Sequence, residues 1–139
     1  MNLYLELKKR HQKEVNEFPM IFAFSPKQLE EGMEKLGVKD LNEIFKMHGG
    51  MFCRRTDIKR LQELMERHVK EMADAIKEDL TGNGFIFQMF NYELSNHEYC
   101  VTGDVEETLN SLGLSFEEIE KSESMKTGLR LAISKQADY

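Results

Sequence analysis

The chain has 139 residues, of which 40% are hydrophobic and 32% are charged, and only two are prolines. This length and composition predict a single globular domain over residues 1–139 with a core of its own, and they exclude a long disordered arm. The net charge is −6 and is unevenly distributed. Residues 73–139 contain 5 basic and 13 acidic side chains, whereas residues 1–72 contain 14 basic and 12 acidic ones. Because an acidic half repels phosphate, nucleic-acid binding is disfavoured.

The lengths of the apolar runs and the number of cysteines predict where in the cell the protein is found. The longest apolar run, residues 20–24, is far too short to span a membrane. The first residues lack the unbroken apolar segment of a secretory signal. The two cysteines, Cys53 and Cys100, do not make a disulfide framework. We therefore expect a cytoplasmic protein without membrane contact.

The first predicted elements are helices with recognisable ends. Residues 1–18 form an N-terminal helix, set apart at the periphery and ended by Pro19. Ser25 and Gln28 form a capping box for the next helix, which ends at Gly37. A short helix is then expected from the spacing of Leu41, Ile44, Phe45 and Met47.

The strongest helical pattern lies in the middle of the chain. It has apolar residues at helical spacing on one side, namely Ile58, Leu61, Met65, Met72 and Ile76, with His68 among them as a core or boundary histidine. Four of these are predicted core residues: Leu61, Met65, Met72 and Ile76. Residues 85–94 are apolar on nearly every side and predict a buried central helix. The last helices begin at capping boxes at Asp104 and Ser115.

Three short apolar runs predict the strands. They are residues 21–24, 51–54 and 99–101, and each leads into a capped helix. Strands this short are unstable alone, so we expect them to pair in one sheet. The predicted fold is α+β: a mostly helical single domain with a small sheet of about three short strands. The helices at residues 29–38 and 105–114 look alike, which a common helix-ending turn explains better than an internal duplication.

The densest polar segment is a candidate junction, formed by Glu93, Asn96, His97, Glu98, Tyr99 and Cys100. The favoured interpretation is structural: Asn96 caps the buried helix, His97 bonds nearby backbone or a carboxylate, and Tyr99 and Cys100 pack inward. The alternative is a ligand or metal site, and therefore an enzyme, centred on Glu93, His97 and Cys100. Its zinc form would use four ligands: His48, Cys53, His97 and Cys100.

A basic cluster lies at the start of the long helix, and it consists of Arg54, Arg55, Lys59 and Arg60. A solvated charged face is the favoured interpretation, and an anion site assisted by free backbone N–H groups is the alternative. A nucleic-acid-associated role would use this cluster. The segment at residues 108–119 resembles a helix-turn-helix only superficially, because its second helix would present three carboxylates to phosphates.

Three segments together resemble a known family: residues 22–32, 49–55 and 92–102, with Asn-His-Glu-Tyr-Cys at 96–100 as the most specific part. The family contains small uncharacterised proteins of bacteriophages and mobile elements in bacteria. It has no established activity, so the resemblance implies no catalytic residue. It implies an accessory protein that acts inside a bacterial cell.

No coherent catalytic set stands out, because the chain lacks a nucleophile elbow, a zinc-protease motif and a phosphate loop. The sequence predicts no cofactor and no catalytic residue. The function expected is that of a non-enzymatic interaction module that binds a host or phage protein. A ligand- or metal-binding protein and a nucleic-acid accessory protein are the alternatives, and the oligomeric state is left open.

Overall fold

The computed structural model describes residues 1–137, which form two compact units. One unit contains Met1–Arg10 and the chain from Glu71 onward, and the other contains His11–Lys70. The boundary falls inside two helices, α1 (Leu3–Glu17) and α3 (Ile58–Glu78). We call the units the helical unit and the sheet unit. The α+β class predicted from the sequence is confirmed, since most of the described chain is helical and three short strands form one sheet.

The sheet unit is built on three antiparallel strands in the order β1-β3-β2, namely β1 (Met20–Phe22), β2 (Ile44–Lys46) and β3 (Met51–Arg54). Helix α2 (Pro26–Leu36) packs against β1. The predicted N-cap is confirmed, because Gln28 N–H donates to Ser25 Oγ at 3.2 Å, but the Gln28 side chain accepts from Phe24 N–H at 2.7 Å instead of from Ser25 N–H, so the reciprocal half of the box is shifted by one residue. Gly37 ends the helix in the left-handed conformation, with φ of 73°.

The third predicted strand, at residues 99–101, is wrong. That segment is the helical turn α5 (Tyr99–Thr102), flanked by left-handed Glu98 and Gly103. The third strand is β2, in a segment that we predicted to be helical. A short apolar run is compatible with the periodicity of a helix and with that of a strand. Here the segment is a strand because it pairs with β3, with Ile44 opposite Arg54 and Lys46 opposite Phe52.

The helical unit surrounds α4 (Phe85–Asn96), the predicted buried central helix. Four of its side chains have no exposed surface: Ile86, Met89, Phe90 and Leu94. The helices α6 (Glu106–Leu112), α7 (Phe116–Glu120) and α8 (Glu123–Ala137) complete this unit, and α8 packs along α4. The N-cap at Ser115 is confirmed, since Glu118 N–H donates to its hydroxyl at 3.2 Å, but the Glu118 side chain accepts from that same hydroxyl and does not close the predicted box. Tyr4, from α1, is part of this core.

The stripe on α3 is only partly buried. Leu61 is buried, and Met72 and Ile76 are half-buried against the core of the helical unit. The prediction for Met65 is wrong, because its side chain is 40% exposed. Spacing determines which side of a helix a residue occupies, but not whether another element covers that side at that turn.

Candidate functional site

Glu93, the first residue of the predicted junction, is a buried carboxylate with partners on α1. The Tyr4 hydroxyl donates to Glu93 Oε2 at 2.8 Å, and the Lys8 ammonium lies 3.2 Å from the same oxygen. Burial, and then the neighbouring Glu93 carboxylate, raise the pKa of Tyr4 far above its ordinary value, so the phenol stays a proton donor. Glu93 therefore acts as an internal counter-ion that ties α1 to α4.

His97 lies at the end of α4, as expected. Its ring pairs with a different residue from Tyr4 and Lys8, the partners of Glu93. Its backbone N–H donates to the Glu93 carbonyl at 2.9 Å, while its ring Nδ1 lies 3.6 Å from Glu107 Oε1. Asn96 is the last helical residue, and the left-handed position is Glu98, with φ of 56°. Tyr99 is half-buried against the core, whereas Cys100 is exposed instead of packing inward. The junction is a helix end followed by a turn.

The four residues of the zinc alternative are divided between the units. His48 and Cys53 belong to the sheet unit, and His97 and Cys100 belong to the helical unit. Burial, and then the Asp57 carboxylate, raise the pKa of the Cys53 thiol, which disfavours the thiolate that zinc requires. The four-ligand site stays a prediction, and the raised pKa of the Cys53 thiol counts against it.

The basic cluster is largely occupied by internal acceptors. Asp57 is buried, and it accepts from Arg54 Nε at 2.7 Å and from Arg60 Nη1 at 3.1 Å. Arg55 Nε donates to the Asn42 carbonyl at 2.8 Å. Lys59 is exposed beside them. The anion patch stays a prediction, but three of its four cations already have partners within the fold.

Residues 3–135 match the model of a family of unknown function, DUF7659. The chain belongs to this family. The resemblance to a family without established activity is thereby confirmed at its coarse level, over almost the whole chain. No curated protein and no solved structure matches the chain. The chemistry of this DUF7659 protein therefore has to be argued from its own residues.

One face of the sheet in this DUF7659 protein is apolar and yet exposed. Side chains alternate across β1 and its continuation: Ile21 and Ala23 are buried, whereas Phe22 is 61% exposed and Phe24 is 77% exposed. The register places Phe22 opposite Met51, and Phe45, 39% exposed, opposite Cys53. Successive residues of a strand point to opposite faces, so these side chains share one face. Cys53 lies on the same side but is fully buried, so the outer sheet face is defined by Met20, Phe22, Phe24, Phe45 and Met51.

The outer sheet face carries a cation at one edge. The Arg55 guanidinium lies 5.7 Å from the centroid of the Phe45 ring, which is within the range of a cation–π contact. At the other edge, the Phe24 ring lies against Gly50, where an added Cβ would come within 2.5 Å of the ring. Gly50 also has φ of 78°, a conformation that side chains rarely adopt. The hairpin turn therefore requires a glycine at position 50, where the exposed Phe24 ring packs against it.

Sequence reasoning missed a histidine cluster in the sheet unit. One nitrogen of His11, one of His68 and one carboxylate oxygen of Glu14 all lie within 4.8 Å of one another. Among the described residues, it is the one group of three or more potential metal ligands that meets this distance. His11 and Glu14 are three positions apart on α1, a spacing that suggests a shared helical face. Nothing in the sequence shows that His68, more than fifty residues later, joins them.

Proposed function

We propose that this DUF7659 protein is a non-enzymatic, intracellular interaction module of a phage or mobile element, which binds an acidic segment of a host or phage protein on its outer sheet face. The observation that carries the proposal is the exposure of Phe22 and Phe24, at 61% and 77%. Within the described residues, no helix has the length and apolarity needed to cross a membrane.

The apolar character of this face points to a protein partner. A sheet with one face in water normally alternates apolar and polar residues along each strand. Residues 20–24 do not alternate, since the positions next to buried Ile21 and Ala23 are Met20, Phe22 and Phe24 instead of polar residues. Clustered exposed apolar side chains commonly mark interaction sites. Aromatic side chains also dominate the energy of protein interfaces.

The charge of the segment that includes β2 and β3 supports an acidic partner, although the register places Lys46 and Arg54 on the opposite face and leaves Arg55, beside Phe45, as the cation at the outer sheet face. Residues 44–60, which include β2 and β3, carry five basic side chains (Lys46, Arg54, Arg55, Lys59 and Arg60) and one acidic side chain, Asp57. The net charge of this segment is therefore +4, in a chain whose total is −6. Opposite charges at an interface guide association and reject other partners. A segment with apolar side chains among carboxylates fits both features.

A basic segment with exposed aromatics is also compatible with single-stranded nucleic acid. The protein partner is favoured because the bonds of Arg54 and Arg60 to buried Asp57, and of Arg55 to a backbone carbonyl, leave few cations for a phosphate backbone, whereas a segment that is mainly apolar depends chiefly on the exposed phenylalanines. Phosphate binding depends on neutralising many charges along a backbone. The −6 charge of the whole chain opposes that.

A peptide selection tests the proposal. A random peptide library is selected against the immobilised full chain at about 150 mM salt. We expect the recovered peptides to combine aromatic or aliphatic residues with Asp or Glu, and to lose binding to a Phe22→Ser/Phe24→Ser variant. The matched control is Val69→Ser/Leu80→Ser, which removes two similarly exposed apolar side chains elsewhere.

The same variants separate the alternatives. Peptides without acidic residues, or peptides that bind both variants equally, would contradict the proposed surface. A labelled single-stranded RNA that binds tightly and depends on Phe22 and Phe24 would replace the protein partner by a nucleic acid. Because both phenylalanines are exposed, we expect either variant to fold, which circular dichroism checks.

A further inference from the structure

The sheet unit contains a second cluster with a chemistry of its own, formed by His11 and Glu14 on α1 and His68 on α3. The two imidazole rings are stacked, with centroids 3.8 Å apart and planes inclined by 12°. His68 Nε2 lies 3.3 Å from Glu14 Oε1. The side chain of His68 is only 11% exposed, so the cluster is partly shielded from water.

We infer that His11, Glu14 and His68 bind a divalent transition metal of the zinc class. Two imidazole nitrogens and a carboxylate oxygen form a donor set that zinc uses in proteins, and three protein ligands leave a position for water. Imidazole also suits nickel, copper and cobalt. The donor set therefore indicates a class of metal ions and does not select a single element. The site lies within the sheet unit and does not involve the outer sheet face.

The ligand atoms need only a small adjustment to bind. Metal–ligand bonds of about 2.0–2.1 Å place the donors of a tetrahedral site about 3.3 Å apart. The 3.3 Å separation of His68 Nε2 and Glu14 Oε1 already has this value, and the largest separation in the group is within 4.8 Å. Any separation in the group above about 3.3 Å has to shorten when an ion binds, and a change of the side-chain torsions of His11, on α1, would bring its ring nitrogen closer.

Arg67 holds the carboxylate from the outside. Its guanidinium is paired with Glu14, with Nη2 bonded to Oε2. An ionised carboxylate is the form that binds metal. Outer partners of this kind orient ligating carboxylates in many metal sites.

Titration of tag-free, metal-stripped full chain with Zn²⁺, and with Co²⁺ for its absorption spectrum, tests the inference. We expect one ion per chain, a Co²⁺ spectrum with nitrogen and oxygen donors, and affinity weakened by about 100-fold in His68→Ala and in Glu14→Gln. Zn²⁺ should also raise the melting temperature of the native chain, since an ion that binds only the folded state stabilises it. The matched controls are His48→Ala and His97→Ala, which we expect to bind like the native chain.

Each other outcome overturns the site. Native chain that binds no stoichiometric Zn²⁺ or Co²⁺ would show that the stacked histidines are structural. Binding lost in His97→Ala or Cys100→Ser and kept in His68→Ala would assign the ion to the predicted cysteine-containing set. If His68→Ala does not fold, two other results test the site. One is the affinity of Glu14→Gln, a substitution of nearly the same size. The other is the Co²⁺ spectrum of the native chain, because a thiolate ligand gives intense absorption bands that the inferred donors do not.

Discussion

The Tyr4 hydroxyl donates a 2.8 Å hydrogen bond to the carboxylate of Glu93, which is 89 residues further along the chain. Both groups are buried, and Lys8 completes the ion pair at 3.2 Å. Through this bond the first helix contributes to the core of the helical unit, next to the edge-on contact of Tyr4 with Phe85.

We predict that Tyr4→Phe lowers the free energy of unfolding by about 1–3 kcal/mol, because it leaves a buried carboxylate with one partner fewer. Urea denaturation measures this. Tyr99→Phe is the control, since Tyr99 is half-buried and outside the Glu93 network. Equal effects of the two substitutions would show that the hydrogen bond to Glu93 does not stabilise the fold.

Asp79 caps the turn that leads into α4, and its stabilising effect should depend on pH. Its carboxylate accepts from the N–H groups of Gly82, Gly84 and Ile86 at 3.0, 3.1 and 2.9 Å. Partial burial raises the pKa of Asp79, but these hydrogen bonds lower it more, so the folded-state pKa is below the ordinary value. A lowered pKa stabilises the fold above the unfolded-state value of about 3.9, and this contribution is lost as the pH falls through the folded-state pKa.

Asp79→Asn should therefore destabilise the protein by about 1 kcal/mol at neutral pH. Chemical denaturation at neutral pH and at about pH 3 compares it with the native chain, and the difference should shrink in acid. Glu63→Gln, at an exposed position of α3, is expected to change little. A difference that grows in acid would contradict this account of Asp79.

Gly128 allows the close packing of α8 on α4. An added Cβ there would lie 2.4 Å from Ile86 Cγ2 and 2.8 Å from the Gly82 carbonyl oxygen. Overpacking of a tight contact costs about 1–3 kcal/mol, so Gly128→Ala should lower the melting temperature although alanine favours helices. Arg130→Ala, on the exposed side of the same helix, is the control. A stabilised Gly128→Ala protein would show that this contact relaxes freely.

His97, in the most specific part of the family resemblance, should contribute little to stability through its ion pair. Its partner Glu107 has a side chain that is 69% exposed, and such pairs contribute about 0–1 kcal/mol. We expect His97→Ala to lower the free energy of unfolding by no more than about 1 kcal/mol. A loss above about 3 kcal/mol in urea denaturation would indicate the buried polar network expected from the sequence.

The sequence predicted best the features that depend on neighbouring residues. The caps at Ser25 and Ser115 and the left-handed Gly37 are local, and they are present, whereas the cap predicted at Asp104 is not, because Val105 occupies the N-cap position of α6. Strand β2 was missed because the identity of a three-residue apolar segment depends on its partner strand. The exposure of Met65 likewise depends on what packs opposite it.

The candidate sites were predicted less well than the fold. The contact of His68 with Glu14 and the exposure of Phe22 and Phe24 are set by tertiary structure. Residues 20–24 read as one apolar run, and that pattern alone does not separate a strand buried on both sides from one with an open face. The partners of Glu93 on α1 were equally invisible, because long-range pairs leave no local pattern.

The central claim is that the outer sheet face binds an acidic, apolar protein segment. Its most direct test is a calorimetric titration of the most frequently selected peptide into the native chain, Phe22→Ser/Phe24→Ser and Val69→Ser/Leu80→Ser. The account predicts equal affinity for the native chain and the control, with affinity for the Phe22/Phe24 variant weaker by about 30-fold or more. Equal affinity for all three proteins would contradict it.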